Sequence, residues 1–193
     1  MIPLLIMRHG PTKWNVEKRI QGSVDIPLSA EGRVAVESWT IPVQYRSYHC
    51  VSSPLSRAIE TANILDLEPE QNDALREMSW GDWEGRHLPD LREKLGHEMA
   101  ANEARGLDFC PLGGESPRDV QARLKPWLQS LTKPTLAIAH KGVIRALYAL
   151  ASGWDMCDKP DTKLKQPALH LFSVDHQGVP KVDDLNIMLA GDY

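Results

Sequence analysis

Cysteine is scarce in this chain: there are three in 193 residues, Cys50, Cys110 and Cys157, widely separated and odd in number. Such a set makes no disulfide framework. Without a CxxC or a Cys/His ligand spacing, it points to a reduced, cytoplasmic setting. Histidine pairs in HxH or HExxH spacing are also missing, as are carboxylate-rich metal loops, so neither a metal nor another cofactor is expected. No apolar run approaches the length of a membrane span, and the opening one is too short for a secretory signal and has no basic leader. With a net charge of −4 and a pI near 6.0, the chain has no surplus of positive charge for general binding to nucleic acid or an acidic membrane. The composition that remains is 42% hydrophobic and 25% charged, enough for one domain over residues 1–193 with a well-buried core. Oligomeric state is not readable from it.

The most informative stretch is Leu4-Leu5-Ile6-Met7-Arg8-His9-Gly10. Its apolar run predicts a strand buried on both faces, of the kind found inside a parallel sheet. A guanidinium, an imidazole and a glycine follow. They offer, in turn, a planar fork of donors for a phosphate, a nitrogen able to attack near neutral pH, and a close backbone approach. In open α/β sheets the ligand crevice lies beyond the carboxyl ends of the strands, which is where these residues would stand. Thr135 to Ala139 repeats the pattern and ends in His140-Lys141-Gly142. If the two strands are parallel neighbours, His9 and His140 face each other.

Between these strands the chain alternates loops and amphipathic helices. Residues 10–27, with Asn15, Gln21 and Gly22, form a long loop of the kind that is usually functional. Ser29 is the expected N-cap of a helix with Val34 and Val36 inward. After a strand near His49 to Ser52, Ser53 is the expected N-cap and Pro54 the first residue of a second helix. That helix carries Leu55, Ala58, Ile59 and Ala62 as its buried stripe. Arg57 falls off the stripe, and spacing leaves open whether it is solvated or an anion ligand. Glu77, Asp82 and Glu84 supply carboxylates, with Trp80 and Trp83 as packing groups or pocket walls. One helix opened by Pro89 should carry Leu88, Leu91, Leu95 and Met99 on one side. Ser116 and Asp119 approximate a capping box for another, with Val120, Leu124, Trp127, Leu128 and Leu131 inward and a kink at Pro126. The helix after His140 should turn Val143, Leu147, Leu150 and Ala151 inward, and residues 168–182 read as a late hairpin or edge strand.

Taken together, Arg8-His9-Gly10, Asn15, Gln21-Gly22, the run Ser53-Pro54-Leu55-x-Arg57-Ala58, Glu77 and Ala139-His140 resemble the histidine phosphatase (phosphoglycerate mutase-like) superfamily. The resemblance runs from residue 4 to about 150. It implies an α/β fold, a three-layer α/β/α sandwich around a mostly parallel sheet. It further implies that His9 is the nucleophile and that Arg8, Arg57 and His140 hold the phosphoryl oxygens with Asn15 assisting. Glu77 would be the proton donor and later the base for water. Gln21, Gly22 and Lys141 join Asn15 as substrate-binding candidates. A small phosphorylated molecule is the implied partner.

Two residues depart from the family pattern. Pro11 stands where many relatives have glutamate or glutamine, and Lys141 where a small or amide residue is usual. Lys141 either extends into water or reads a second anionic group on the substrate. Mutase and phosphatase share this core. Mutases of the family carry a longer insertion between the acid and the second histidine, whereas here only 140 − 77 = 63 positions separate them. The expectation is therefore a phosphatase of small phosphomonoesters, with a mutase or a non-catalytic phosphate-binding protein as the alternatives.

Overall fold

The computed structural model describes residues 1–189. Six strands, β1 (Ile2–Arg8), β2 (His49–Ser52), β3 (Glu70–Gln71), β4 (Thr135–Ala139), β5 (Leu169–Val174) and β6 (Pro180–Ile187), form one sheet in the order β3-β2-β4-β1-β5-β6. The first four run parallel, and β5 and β6 are antiparallel additions on the far side of β1. The central strands are apolar on both faces because both faces are covered. Leu4 and Ile6 of β1, with Ala137 and Ala139 of β4, face one core; Leu5, Met7, Leu136 and Ile138 face the other. This is the period-2 alternation of a strand with two buried sides.

Helices close the two cores. On the first face pack α6 (Pro117–Ser130), through Val120, Leu124 and Leu128, and α7 (Lys141–Ser152), through Val143, Ile144 and Leu147. On the second lies α3 (Ser56–Ile64), through Ala58 and Ala62. The result is the α/β/α sandwich with a mostly parallel sheet that the resemblance implied. Four shorter helices, α1 (Lys13–Val16), α2 (Ala30–Glu37), α4 (Leu88–Leu95) and α5 (His97–Glu103), belong to the connections.

Several local expectations hold and several do not. Ser29 caps α2 by accepting from Gly32 N, and Ser116 with Asp119 forms a complete capping box for α6. Val34 is 65% exposed, because the inward face of α2 runs through Gly32 and Val36 and Val34 lies opposite them. Helix α3 starts at Ser56, two residues later than Pro54 suggested. Asp25 accepts from both the backbone and the hydroxyl of Ser56, at 2.8 and 2.7 Å, so the cap comes from a distant loop that no local pattern could reveal. The expected helix through Leu88 and Met99 is two, broken at Gly96 with φ +49°. Leu91 and Met99 are nonetheless both buried. Leu150 is 37% exposed in the last turn of α7, beside the Gly153 cap. Residues 169–187 form the late hairpin. Among the described residues no helix is long and apolar enough to cross a membrane.

Candidate active site

The register of β1 with β4 sets the geometry. Arg8 pairs with Ala139, so His9 and His140 leave neighbouring parallel strands at the same level. Their ring centroids lie 5.0 Å apart, with the planes tilted by 55°.

His9 is 4% exposed, and its Nδ1 lies 2.6 Å from the carbonyl oxygen of Gly10. A carbonyl can only accept, so Nδ1 carries the proton and Nε2 keeps its lone pair. Burial, followed by the positive charges of Arg8 and Arg57, holds the imidazole well below its usual pKa and therefore neutral at pH 7. Gly10 is pinned in turn. Its N–H donates to Thr61 Oγ1 at 2.9 Å, and a Cβ there would come within 2.3 Å of Val36 on α2.

Arg57 is fully buried, which settles the choice its sequence position left open: it is not a solvated arginine. Its Nε donates to His140 Nδ1 at 3.3 Å, Nη1 to the carbonyl of Val24 at 2.8 Å and Nη2 to the carbonyl of Gly22 at 2.9 Å. Three of the five donors of a guanidinium are thereby spent, leaving two. Since Nδ1 of His140 accepts, the proton of that ring sits on Nε2. Burial first, then the charges or dipoles of His9, Arg57, Arg8 and Arg123, hold His140 well below its ordinary value.

Among the described residues, two buried side-chain polar atoms lack any partner: Arg8 Nε and His140 Nε2. Both are donors, and both flank His9. Leaving a buried donor unpaired costs about 1–3 kcal/mol, so two of them beside one histidine mark a place prepared for an anion.

Glu77 closes this group from the side of α7. Its Oε1 accepts from Met78 N at 2.9 Å and from Gly142 N at 3.0 Å. Gly142 is in the first turn of α7, where free N–H groups favour a carboxylate. Its lack of a side chain is required, since a Cβ would stand 2.4 Å from Glu77 Oε1.

The long loop after Gly10 supplies the remaining residues. Asn15 accepts through Oδ1 from Thr12 N at 3.0 Å in the capping box of α1, which leaves its amide NH₂ available. Gln21 is buried, with Oε1 2.9 Å from Thr12 Oγ1. Gly22, at φ +53°, presents its carbonyl to Arg57. Glu84, another carboxylate of the stretch that holds Glu77, is engaged elsewhere. It accepts from Ser23 N at 2.7 Å and from Trp80 N at 3.0 Å, joining two loops.

Next to this group, sharing Arg8 and Glu77 with it, opens a cavity of about 670 Å³ whose walls also include Asn15 and Lys141 and the apolar side chains of Trp80, Phe109 and Met156. Of the two tryptophans of the sequence motif, Trp80 is a pocket wall, and it packs on Phe109 with centroids 5.5 Å apart. Lys141 keeps an exposed face. Partial desolvation, then the like charges of Arg8 and Arg145, lower its ammonium from the ordinary value. The fold thus brings all nine candidate residues, Arg8, His9, Asn15, Gln21, Gly22, Arg57, Glu77, His140 and Lys141, to the carboxyl edge of the sheet.

Other residues at this edge went unread in the sequence. Thr61 holds Gly10, and Gln166 accepts from Arg8 Nη1 across 158 positions. Glu115 accepts from Ser79 N at 2.9 Å and pairs with Arg123, which also donates to the carbonyls of Ala74 and Arg76. Glu115 and Arg123 together brace the segment that carries Glu77. No periodic signal marks Gln166 or Thr61, and the capping box read at Ser116 and Asp119 gives no role to Glu115 beside it.

Comparison with known proteins places the chain in a family. The family model for the histidine phosphatase superfamily (branch 1) matches residues 4–187. A glucosyl-3-phosphoglycerate phosphatase of Mycobacterium tuberculosis is 34% identical over 165 residues, covering 76% of this chain and 73% of the relative. A 2,3-bisphosphoglycerate-dependent phosphoglycerate mutase of Mesorhizobium japonicum is 29% identical over 167 residues, covering 78% and 81%. Among solved structures, a mycobacterial glucosyl-3-phosphoglycerate phosphatase complexed with VO3 matches at a TM-score of 0.81 and 29% identity, over 97% of this chain and 100% of that one. With its family model spanning nearly the whole chain and its fold shared with such a protein, this chain belongs to the histidine phosphatase superfamily.

Proposed function

We propose that the protein is a metal-independent phosphatase that hydrolyses small phosphomonoesters through a phosphohistidine on His9. The observation that carries this reading is the pair of unpartnered buried donors, Arg8 Nε and His140 Nε2, flanking a histidine whose Nε2 lone pair is free. Phosphoryl transfer depends mainly on positioning and on stabilising charge at the equatorial oxygens. Arg8, the two unspent donors of Arg57 and the Nε2–H of His140 supply that charge, with the Asn15 amide assisting.

In the first step His9 Nε2 forms a bond to phosphorus while the ester P–O bond breaks, and Glu77 gives its proton to the departing oxygen. In the second, Glu77 takes a proton from water, the water oxygen bonds to phosphorus, and the Nε2–P bond breaks to release inorganic phosphate. General acid and base assistance of this kind contributes about 10²–10⁴-fold. A covalent intermediate divides one difficult displacement into two easier ones. Glu77 is placed for the role because its Oε1 is fixed by the backbone N–H groups of Met78 and Gly142, and the carboxyl lies close enough to Arg8 and Arg57 to act on both guanidiniums.

Relatives include both a phosphatase and a mutase, so the choice between water and a second alcohol as acceptor rests on this chain. The short 77–140 segment favours water, because a mutase must shield its phosphohistidine and needs chain for the lid. The test is a panel of phosphorylated metabolites, with inorganic phosphate and phosphoglycerate isomerisation both measured, in buffer containing EDTA. Release of phosphate without isomerisation supports the reading. Isomerisation faster than release, or activity that EDTA removes and a divalent ion restores, contradicts it.

A further inference from the structure

Helix α7 carries a second cation one turn beyond Lys141. Arg145 lines the same cavity, and its Cζ sits 4.7 Å from the centroid of the Trp154 ring. Trp154 is itself packed on buried Tyr148, with centroids 6.0 Å apart, so the guanidinium rests on a supported platform. Its situation differs from that of the other arginines on the cavity wall. Arg19 pairs with Glu17 at 2.7 Å, Arg92 pairs with Glu103 at 2.7 Å, and Arg8 binds Gln166 and flanks His9. Among the described residues Arg145 has neither a carboxylate partner nor a hydrogen bond to any of its donors. Burial lowers its pKa, yet a guanidinium stays charged at any ordinary pH.

The charge balance of the cavity makes the same point. Five cations, Arg8, Arg19, Arg92, Lys141 and Arg145, line it with two carboxylates, Glu77 and Glu103, although the whole chain carries −4. One phosphoryl group beside His9 accounts for Arg8. Salt bridges account for Arg19 and Arg92. Lys141 and Arg145 remain, four residues apart on one helix and therefore on one face.

We propose that Arg145, with Lys141, forms a second anion subsite, so that the preferred substrate is a phosphomonoester carrying another anionic oxygen group at its far end. A planar guanidinium held on an aromatic ring suits bidentate binding of a carboxylate or phosphate, and Lys141 adds a point charge at the rim. This deepens the phosphatase reading by naming its substrate class.

The test uses His9→Ala protein, so that binding is read without turnover. Calorimetry would compare 3-phosphoglycerate, 1,3-propanediol bisphosphate and glycerol 3-phosphate, whose tail is uncharged. Both doubly anionic ligands should bind at least about tenfold tighter than glycerol 3-phosphate, with the gap narrowing as salt is raised. If only one of them does, it identifies which anion the subsite reads, and the proposal stands. Arg145→Gln should close the gap, Arg145→Lys should restore part of it, and Lys141→Gln, an exposed change that spares the fold, should narrow it. Equal affinity for all three ligands, or a gap that survives both Arg145→Gln and Lys141→Gln, overturns the subsite. A gap in the His9→Ala protein alongside wild type that releases no phosphate would keep the subsite and defeat the hydrolase reading instead.

Discussion

Nδ1 of His9 donates to the carbonyl of Gly10 at 2.6 Å, and this one contact decides which ring nitrogen retains a lone pair. Gly10 can make it because Thr61 holds its N–H and because no Cβ pushes it away from Val36 on α2. The arrangement at β1 therefore depends on two helices, α2 and α3, that follow it in the chain. From it and its neighbours come expected outcomes for several variants.

Gly142→Ala should displace Glu77, because the new methyl would stand 2.4 Å from Oε1. Losing a positioned general acid should lower kcat by about 10²-fold on an alkyl phosphate, whose leaving oxygen needs a proton. An aryl phosphate, with a far better leaving group, should lose much less. Steady-state assays on the two substrates check this, and an equal loss on both would separate Glu77 from proton donation.

Arg123→Met should produce a milder version of the same pattern. It removes the donors that Arg123 gives to Ala74, Arg76 and Glu115, and so loosens the segment around Glu77. The expected cost is about 1–3 kcal/mol in stability for carbonyls left unpaired. Activity should fall about tenfold on the alkyl ester and less on the aryl one. Chemical denaturation together with both assays reads the two effects separately.

Arg57→Lys keeps a charge and loses the fork. Lysine cannot serve the carbonyls of Gly22 and Val24 and the ring of His140 from one fixed plane. Activity should drop by more than about tenfold even at saturating substrate, and the loop at residues 22–24 should become more accessible to hydrogen exchange. A near-normal kcat in this variant would mean that Arg57 serves the loop alone.

The pH dependence follows from three histidines held neutral. Burial and cationic neighbours lower His9 and His140 well below 6.5, and burial lowers His170 to about 4. The unfolded chain protonates each near pH 6.5, so below that pH it binds more protons than the fold does, and stability rises with pH there. Stability is thus complete above about 6.5 and is lost as pH falls, by about 1.4 kcal/mol per pH unit for each histidine, down to its folded value. Denaturation midpoints at pH 7 and pH 5 test this. His170→Leu, away from the His9 pair, should remove one histidine's share of the slope. The acid limb of kcat/KM, corrected for substrate ionisation, should fall below pH 6.5 and not at it.

Much of this was legible in the sequence because the informative residues follow directly on periodic elements. Leu4 to Met7 and Thr135 to Ala139 read as strands buried on two faces, and a strand end fixes where the next residue stands. His9 and His140 could therefore be placed opposite each other from spacing alone. Arg57 could not, since a charge one residue into a helix has no periodic signature; its burial comes from the carbonyls of residues 22 and 24, brought by a distant loop. The start of α3 was misplaced for the same reason, because Asp25 caps it from that loop. The break at Gly96 and the exposure of Val34 depend on tertiary packing that a helical stripe does not encode. Arg145 passed unnoticed because an arginine on an amphipathic helix usually means solvent, and its lack of a partner is visible only in three dimensions.

The central claim is a covalent intermediate on His9 Nε2. Wild-type protein mixed briefly with ³²P-labelled substrate and quenched in alkali should carry label on the peptide containing His9, stable to base and lost in acid. His9→Ala should carry none and should lose more than about 10³-fold in kcat. Label on a serine, an aspartate or another histidine, or label-free protein that still releases phosphate without His9, would contradict the account.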